Sequence, residues 1–520
     1  MKTTPPSEDC LPPVQGRVQD IRTVKTQKRG GTPAQGQNEA EIMRDSGVKD
    51  SVLAVDLDGT LLRSDMLFEC FWAAVAQDWR APFTATRALR KSIPALKREM
   101  ALAACPDVTR LPYNPEVIAR IEAWRATGGH VVLITASDQI LADRIAARLG
   151  LFDEVFGTTP GHNLKAGEKA TFLAERYGEG GFTYIGDSAA DLAVWQRAGA
   201  AITVGASSAF RGKVEAITDK ATHLSPPESL IWPILKAMRP HQWLKNVLIF
   251  VPMLASQSLS PETLLQCLVA FLAFGLVASA GYVLNDLLDL GPDRAHARKC
   301  HRPLASGRLQ VPVGTALFPV LLLLGLATAA TLGAAFFGVI AFYFTMTMGY
   351  SLWLKRKVIV DICILAGLYT LRIVAGGVAT GIGLSLWLLA FSMFFFFALA
   401  AVKRQAELVH VKDSDQKKAA GRGYRLDDLP VITQMAISSG MVSILVLALY
   451  INDPVTKAHY TSPTLLWGVC VLLLFWISRV ILVTHRGKMD DDPLVFAVSD
   501  RTSLATFIVM TALGAAAAFI

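Results

Sequence analysis

The chain is poor in charged residues, which argues against a protein that is soluble throughout. Asp, Glu, Lys and Arg make up 18% of its 520 residues, and apolar residues make up 52%, whereas soluble globular domains carry about 25% charged residues. The deficit is uneven, because most of the apolar runs follow Trp243. A chain of this length also exceeds one compact core, so we expect two or three units.

Cysteine is sparse and has no motif spacing. The seven cysteines form no CxxC pair, which argues against a disulfide framework and against a zinc site. Residues 1–49 lack the apolar stretch of a secretory signal peptide. They are rich in Pro, Gly, Gln, Lys and Asp, and we predict a disordered tail there.

The formal net charge of +8 raises the question of a nucleic-acid partner. The Lys and Arg residues lie mostly between apolar runs, which is typical of a protein oriented in a membrane. We therefore expect a membrane partner and no nucleic acid.

Polar side chains follow three apolar runs in the first half of the chain. Asp56 and Asp58 follow the first run, Thr135 ends the second, and Asp187 and Asp191 follow the third. Parallel strands end at one edge of a sheet, so these groups are expected to meet there. Carboxylates, a hydroxyl and a nearby lysine predict a site for a phosphoryl group and one Mg²⁺ ion.

These motifs resemble, in type and order, those of the haloacid dehalogenase (HAD) superfamily, over residues 50–215. The resemblance implies an α/β Rossmann-like phosphatase domain in which Asp56 is the nucleophile and Asp58 the general acid and base. It implies that Thr135 holds phosphoryl oxygens. Asp187 would bind Mg²⁺ together with Asp56 and the Asp58 carbonyl, and Asp191 would support that site.

The lysine of the third motif stays open. It is either Lys169, which we favour because it begins a helical pattern, or Lys165.

Residues 66–128 are helical in pattern and suit an inserted cap that excludes water. A HAD fold that has lost catalysis and serves as a scaffold or regulator is the alternative to a phosphatase.

Nine apolar spans are predicted after a linker at 216–240, whose helix is expected to lie in the membrane interface with Trp232 as an anchor. They lie near 246–256, 262–284, 313–331, 334–354, 358–378, 385–402, 431–452, 464–484 and 502–520. Most approach the ~20 residues that cross a bilayer. Basic residues concentrate in alternate loops, which by the positive-inside rule places the HAD domain in the cytoplasm of a multi-pass inner-membrane protein.

An acidic motif closes the second span. Asn285, Asp286, Asp289 and Asp293 follow the spacing NDxxDxxxD, which on a helix sets them along one face. Three carboxylates beside a bilayer repel one another. A bound divalent cation would relieve that repulsion, and diphosphate oxygens would complete its coordination.

This motif is the signature of the UbiA-type prenyltransferase superfamily, which the chain resembles over residues 241–520. The resemblance implies an all-α bundle of nine transmembrane helices that binds Mg²⁺ and a diphosphate. The superfamily's second motif, usually DxxxD, departs here: Asp361 is present, but Leu365 replaces the second carboxylate. That departure argues against an ordinary prenyl-diphosphate donor.

Further segments resemble one branch, the decaprenyl-phosphate phosphoribosyltransferases. They begin at Arg239, Tyr350, Lys403 and Arg486, and the last reads Arg-Gly-Lys-Met-Asp-Asp-Asp-Pro. The resemblance implies phosphoribosyl pyrophosphate as donor and a long polyprenyl phosphate as acceptor. The substrate-binding candidates are Lys245, Asn246, Lys299, Arg302, Tyr350, Lys355, Asp361, Arg372 and Lys403. Arg372 interrupts an apolar span, which by itself makes a residue a site candidate.

Phosphoribosyl transfer would leave a 5-phosphate on the lipid-linked sugar, and the HAD domain is predicted to remove it. Two alternatives remain. One is a UbiA-type transfer from a prenyl diphosphate to an aromatic acceptor such as 4-hydroxybenzoate. The other is a membrane protein without catalysis that binds or transports lipid.

Overall fold

A computed structural model describes residues 52–226, 229–413, 423–489 and 493–519. The predicted tail at 1–49 lies outside the described residues. So do the three aspartates at 490–492 in the last predicted motif.

Six parallel strands form the sheet of the N-terminal domain. They are β1 Val52–Val55, β2 His130–Asp138, β3 Glu154–Thr158, β4 Phe182–Gly186, β5 Ala200–Val204 and β6 Ala221–Leu224. Their spatial order is β3-β2-β1-β4-β5-β6, so the connections reverse between β1 and β4, which is where open α/β sheets bind ligands. β1 is buried along its whole length, as expected of a parallel strand covered on both faces. The predicted Rossmann-like fold is confirmed.

The helices of this domain include those of the predicted cap. They are α1 Met66–Gln77, α2 Ala81–Leu89, α3 Ile93–Ala103, α4 Pro115–Ala126, α5 Gln139–Leu149, α6 Gly167–Tyr177, α7 Leu192–Trp195 and α8 Ser208–Glu215. Helices α1 to α4 fall within the predicted cap at 66–128. Val117, Ile121 and Trp124 of α4 pack into the same core as β1, and so do Met66 of α1 and Met100 of α3. The bounds of the cap stay a prediction.

The sheet also continues past the predicted domain end at 215. β6 pairs with β5 in parallel register and lies within the predicted linker. Its four residues, Ala-Thr-His-Leu, are only partly buried, so they carry no long apolar run that sequence patterning would detect.

Helices make up the rest of the described chain. They are α9 Ile231–Met238, α10 Val251–Ala255, α11 Pro261–Leu288, α12 Leu290–Ala295, α13 Val311–Ala330, α14 Ala334–Leu352, α15 Val360–Thr380, α16 Leu386–Asp413, α17 Leu429–Asn452, α18 Pro454–His459, α19 Leu466–His485, α20 Pro493–Ser499 and α21 Arg501–Phe519. Within the described ranges, eight helices are long and apolar enough to cross a membrane. α9 exposes Trp232 to 75%, consistent with the expected interfacial helix.

The predicted count of nine spans needs a correction, because the first, 246–256, is not among the eight. The chain there forms a 3-10 helix, Pro240–Phe250, followed by α10. This segment runs antiparallel to α11: Trp243 Nε1 donates to Ser279 Oγ at 3.0 Å, and the later Ile249 carbonyl lies 4.0 Å from Cys267 Sγ. A 3-10 helix rises about 2 Å per residue, so this short segment still extends along the bundle.

The other eight predicted spans agree with helices, and the largest difference is at α16. This helix continues eleven residues beyond the predicted end at 402. The added residues include Ala, Glu, Leu and Lys, which favour helix even where the apolar pattern stops. Lys403 and Arg404 therefore lie on a helix and not in a loop.

The cap contacts the bundle at the end that carries the acidic motif. Trp72 of α1 lies in an apolar cluster with Val283 and Leu287 of α11, and its Nε1 donates to Thr315 Oγ1 of α13 at 2.8 Å. Both predicted sites therefore lie on the same side of the membrane helices.

Candidate active sites

The loop after β1 holds the two aspartates expected to act on phosphate. Asp58 Oδ2 accepts from Ser137 Oγ at 2.7 Å and from Thr135 Oγ1 at 3.3 Å, while its Oδ1 accepts from Met66 N at 2.8 Å. Asp56 is almost wholly buried beside it. The ends of β1 and β2 thus bring these predicted residues together, as parallel strands require.

The structure places Lys169, and not Lys165, against the expected nucleophile. Lys169 is 3% exposed, and its Nζ lies 2.8 Å from Asp56 Oδ1 and 2.9 Å from the Tyr184 hydroxyl. That hydroxyl donates to Asp191 Oδ1 at 2.8 Å. Lys165 lines the same pocket as Asp56 and Lys169, where it could meet a substrate anion.

Three carboxylates of this site are close enough to share one cation. Ligand oxygens of Asp56, Asp187 and Asp191 all lie within 4.8 Å of one another. Gly59, at φ +78°, permits the arrangement, because a Cβ there would stand 2.2 Å from Asp187 Oδ2. Hard carboxylate oxygens in a partly enclosed cradle are the donors that Mg²⁺ prefers, so these residues fit the predicted ion.

Electrostatics reinforce that fit. Burial, followed by repulsion from Asp56 and Asp191, raises the pKa of Asp187 to about 8. Burial raises the pKa of Asp56 to about 7, although Lys169 opposes the shift, and burial raises the pKa of Asp58 to about 6. Buried carboxylates in this number favour a compensating positive charge.

A pocket of about 370 Å³ opens above Asp56. Lys97 of α3 lines it and donates from Nζ to the Ala136 carbonyl at 2.5 Å. Sequence reasoning missed Lys97, because one lysine among the charged residues of a cap helix carries no distinguishing pattern. Gln310 and Pro312, at the start of membrane helix α13, also line this pocket.

The acidic motif of the membrane part faces arginines. Asp286 and Asp293 are both 2% exposed, and Arg302 Nη1 lies 3.1 Å from Asp286 Oδ1 and 2.6 Å from Asp293 Oδ2. Arg239 Nη2 lies 2.5 Å from the same Asp286 oxygen. Asp289 lies apart from this pair and meets Lys355, whose Nζ is 3.7 Å from Asp289 Oδ2.

Two carboxylates thus converge on one positively charged atom. Among the described residues, only the Asp56 group brings three acidic ligand atoms within 4.8 Å. Carboxylate oxygens are donors that suit Mg²⁺, but in this structure the Arg302 guanidinium lies between Asp286 and Asp293. Asn285 is half-buried one position before Asp286, and its part in the metal site stays a prediction.

Arg239 is a residue that the list of site candidates lacked. Its guanidinium carbon lies 5.2 Å from the Tyr282 ring centroid in addition to its contact with Asp286. The signal was present, since Arg239 opens the first motif shared with the phosphoribosyltransferase branch.

Arg372 faces the bundle interior, as a site residue should. It is 5% exposed, and it donates from Nε to Asn246 Oδ1 at 2.9 Å and from Nη2 to the Tyr343 hydroxyl at 3.0 Å. The Tyr369 ring joins this group to Lys245, because the Arg372 guanidinium carbon and Lys245 Nζ lie 5.8 and 5.7 Å from its centroid. Lys245, Asn246 and Arg372 therefore come together.

Asp361 and Tyr350 belong to a different group. Asp361 is fully buried, with its Oδ2 2.6 Å from Arg404 Nε, and it accepts a hydrogen bond from the Tyr424 hydroxyl. Arg404 Nη2 donates to the Tyr350 hydroxyl at 3.1 Å. This network ties α14, α15 and α16 together, and a part for Asp361 in substrate binding stays a prediction.

The two remaining candidates lie nearer the surface. Lys299 is exposed in the 3-10 turn Lys299–His301, and Lys403 is half-buried on α16 next to Arg404.

Comparisons with known proteins find a family for each part of the chain. The profile of the UbiA prenyltransferase family matches residues 246–499, and that of the haloacid dehalogenase-like hydrolases matches residues 53–196. The uncharacterized protein y4nM of Sinorhizobium fredii is 38% identical over 87% of this chain and 88% of its own length.

Two further proteins resemble the membrane part. The decaprenyl-phosphate phosphoribosyltransferase of Corynebacterium glutamicum is 35% identical over 42% of this chain and 68% of its own length. A solved UbiA homologue from Archaeoglobus fulgidus, bound to GPP and Mg²⁺, aligns with 55% of this chain and 98% of its own at 16% identity, with a TM-score of 0.41. The chain is thus an integral membrane enzyme that belongs to the UbiA prenyltransferase family and carries a haloacid dehalogenase-like hydrolase domain ahead of its membrane helices.

Proposed function

We propose that the membrane part transfers a 5-phosphoribosyl group from phosphoribosyl pyrophosphate to a polyprenyl phosphate. The observation that carries this proposal is the concentration of cations near the acidic motif. Arg239 and Arg302 contact Asp286, and Lys245 and Arg372 meet at Tyr369. This donor carries a 5-phosphate as well as a diphosphate, so it needs more cations than a prenyl diphosphate.

Two further observations favour this donor. Leu365 stands where a second acidic motif would place a carboxylate, and Asp361 is engaged by Arg404 in a packing network. Relatives of the membrane part include decaprenyl-phosphate phosphoribosyltransferases at 35–38% identity.

In this reaction the bond from the ribose C1 to the pyrophosphate oxygen breaks, and pyrophosphate leaves with the electron pair. An oxygen of the polyprenyl phosphate forms the new bond to C1. No strong base is needed, because that phosphate is already ionised. Arg239 and Arg302 would contact phosphate oxygens once the donor competes for them. Magnesium, held by Asp286 and Asp293 with Asn285 and Asp289, would draw negative charge from the leaving group.

The hydrolase domain, on this proposal, removes the 5-phosphate from the lipid-linked product. Asp56 takes the phosphoryl group as the ester bond breaks, and Asp58 gives a proton to the departing sugar oxygen. Asp58 then accepts a proton from the water that releases inorganic phosphate from Asp56. A pKa of about 6 for Asp58 suits a group that both gives and accepts a proton near neutral pH.

Magnesium would be held here by Asp56, Asp187 and the Asp58 carbonyl, with Asp191 in support, and would offset the charge of the phosphoryl oxygens. Thr135 lies beside Asp58, where it can meet those oxygens. Both sites would face the cytoplasm of the inner membrane, as the basic loops indicate.

The test uses the full chain in detergent with Mg²⁺, labelled phosphoribosyl pyrophosphate and decaprenyl phosphate. Wild-type protein should release pyrophosphate and inorganic phosphate and form a ribosylated lipid, identified by mass. Asp286→Asn should abolish lipid product. Asp56→Asn should leave a product that keeps its 5-phosphate.

Matched controls are available on the surface. Asp143→Asn on α5 and Asp427→Asn before α17 change exposed aspartates and should alter neither product. Lipid product formed only from a prenyl diphosphate and an aromatic acceptor would support the alternative transferase instead. Inorganic phosphate release that persists in Asp56→Asn would refute the assignment of the hydrolase domain.

A further inference from the structure

The phosphatase pocket has one wall that comes from the membrane part of the chain. Most of its lining comes from the sheet domain and the cap, including Asp56, Ser64 and Lys97, but Gln310 and Pro312 complete it. Gln310 is the residue just before α13, and Pro312 is the second residue of that helix. α13 is one of the eight membrane-crossing helices.

This wall is held in place by specific contacts. The Arg294 guanidinium donates from Nη1 and Nη2 to Glu69 of the cap at 2.9 and 2.6 Å, and from Nε to the Ala305 carbonyl at 3.0 Å. Gly307 lies so close to the loop after β1 that a Cβ there would be 2.8 Å from Arg63 Cβ. The segment that leads to Gln310 is thus held against the hydrolase domain at two points, Arg294 and Gly307.

Gln310 is free to meet a substrate. It is exposed, and its carboxamide makes no capping hydrogen bond to α13. The amide can therefore turn its donor and acceptor toward the pocket.

The position of this wall constrains what can enter. A transmembrane helix begins at the surface of the bilayer, so a pocket lined by the first residues of α13 opens at that surface. A phosphate ester on a lipid head group can reach it without leaving the membrane. A soluble phosphate ester gains nothing from that position.

We infer that Gln310 determines the specificity of the hydrolase site, by hydrogen bonding to the head group of a phosphomonoester that is anchored in the bilayer. The substrate class is a sugar-like ring that carries a phosphomonoester and is joined to a lipid through a phosphodiester. This inference rests on the proposed phosphohydrolase activity of Asp56. It adds that the membrane part selects the substrate of the other domain.

The test compares two forms of one head group with the full chain in phosphatidylcholine vesicles. One is phosphatidylinositol 4-phosphate in those vesicles, and the other is soluble glycerophosphoinositol 4-phosphate, which keeps the phosphodiester and the 4-phosphate but has no acyl chains. A third probe, p-nitrophenyl phosphate, reports the chemistry at Asp56 alone. The wild-type protein should show a higher kcat/KM for the lipid form than for the soluble form.

Gln310→Ala should lower kcat/KM for the lipid form about tenfold, mainly through KM, because it removes hydrogen bonds to the bound head group. Gln310→Glu should lower it further, since its charge repels phosphate. In Gln310→Ala, turnover of p-nitrophenyl phosphate, which lacks the head group, should fall much less than turnover of the lipid form. Gln196→Ala, at an exposed position of the hydrolase domain outside the pocket, is the matched control.

Equal rates on both head-group forms, or equal losses on all three probes in Gln310→Ala, would overturn the inference while leaving the phosphohydrolase in place. Failure of the wild-type protein to hydrolyse p-nitrophenyl phosphate, with a rate no higher than that of Asp56→Asn, would refute the proposed activity itself. The two failures are therefore distinguishable.

Discussion

Glu69 of the cap and Arg294 of the membrane part form a bidentate ion pair, with side chains only 1% and 6% exposed. Ser64, which lines the phosphatase pocket, donates to the same Glu69 carboxylate at 2.5 Å. Arg294 directly follows Asp293 of the acidic motif. One buried pair therefore lies between the two candidate sites.

Removing one partner of this pair should destabilise the protein strongly. Glu69→Gln leaves the buried Arg294 guanidinium without its charge partner, which typically costs about 3–5 kcal/mol. We expect a lower unfolding midpoint of the full chain, measured by tryptophan fluorescence in detergent. Glu99→Gln, at an exposed position on α3, should leave the midpoint unchanged. The double variant Glu69→Gln/Arg294→Met should recover part of the loss, and a double variant no more stable than Glu69→Gln would contradict this reading.

Substitutions of the two candidate lysines of the phosphatase should affect different kinetic constants. Lys169→Met removes the buried charge that contacts Asp56 and should lower phosphate release by about 10²–10³-fold, as for loss of one preorganised charge partner. Lys165→Met should act mainly on KM, because Lys165 lines the pocket whereas Lys169 is the lysine that contacts Asp56. Hydrolysis of p-nitrophenyl phosphate measures both. An equal loss of kcat in the two variants would show that the pocket lysine also acts in the chemistry.

Metal-free protein should become less stable as the pH rises. The folded-state pKa values of Asp56 and Asp187, about 7 and about 8, lie above the ordinary value of 3.8, so the folded state binds these protons more tightly than the unfolded chain. The stability they contribute is complete below about pH 4 and is lost as the pH rises through 7 and 8.

Magnesium should offset that loss. In the presence of a chelator, the unfolding midpoint should fall between about pH 5 and about pH 8, and Mg²⁺ should raise it more at the higher pH, because the ion replaces the lost protons. Asp187→Asn should reduce both effects. A midpoint that responds to Mg²⁺ equally at both pH values would contradict the carboxylate origin of the effect.

Arg302 should matter to the transferase alone. Arg302→Gln removes the group that joins Asp286 and Asp293 and leaves two buried carboxylates facing each other. We expect lipid product to fall by at least about tenfold, with p-nitrophenyl phosphate turnover unchanged. Arg308→Gln changes an exposed arginine of the same loop and serves as the control. Loss of both activities in Arg302→Gln would indicate a general folding defect.

Asp361 should act through stability. Asp361→Asn removes the charge partner of buried Arg404, so the yield and unfolding midpoint of the membrane part should drop, while the protein that folds keeps its KM for the donor. Donor titration of the lipid-forming reaction measures that KM. A raised KM for the donor with an unchanged unfolding midpoint would indicate that Asp361 contacts the substrate.

Sequence alone identified the acidic residues of both candidate sites, for a physical reason. Carboxylates after buried strands, such as Asp56 and Asp187, are exceptions to a strong apolar pattern, and the strand order of an α/β sheet brings such positions together. Eight of the membrane helices were equally evident, because a bilayer demands long apolar runs. Arg372 could be predicted as a site candidate because a charged residue within an apolar span is costly.

Tertiary structure decided the pairings, because they join residues far apart in the chain. Only the folded packing showed that Lys169 rather than Lys165 contacts Asp56, that Arg302 joins Asp286 to Asp293, and that Asp361 belongs to Arg404. The 3-10 segment before α10 was hidden as well, since its short apolar run resembles a span. The position of Gln310 in the wall of the phosphatase pocket has no sequence signature. It arises only because the membrane part packs against the hydrolase domain.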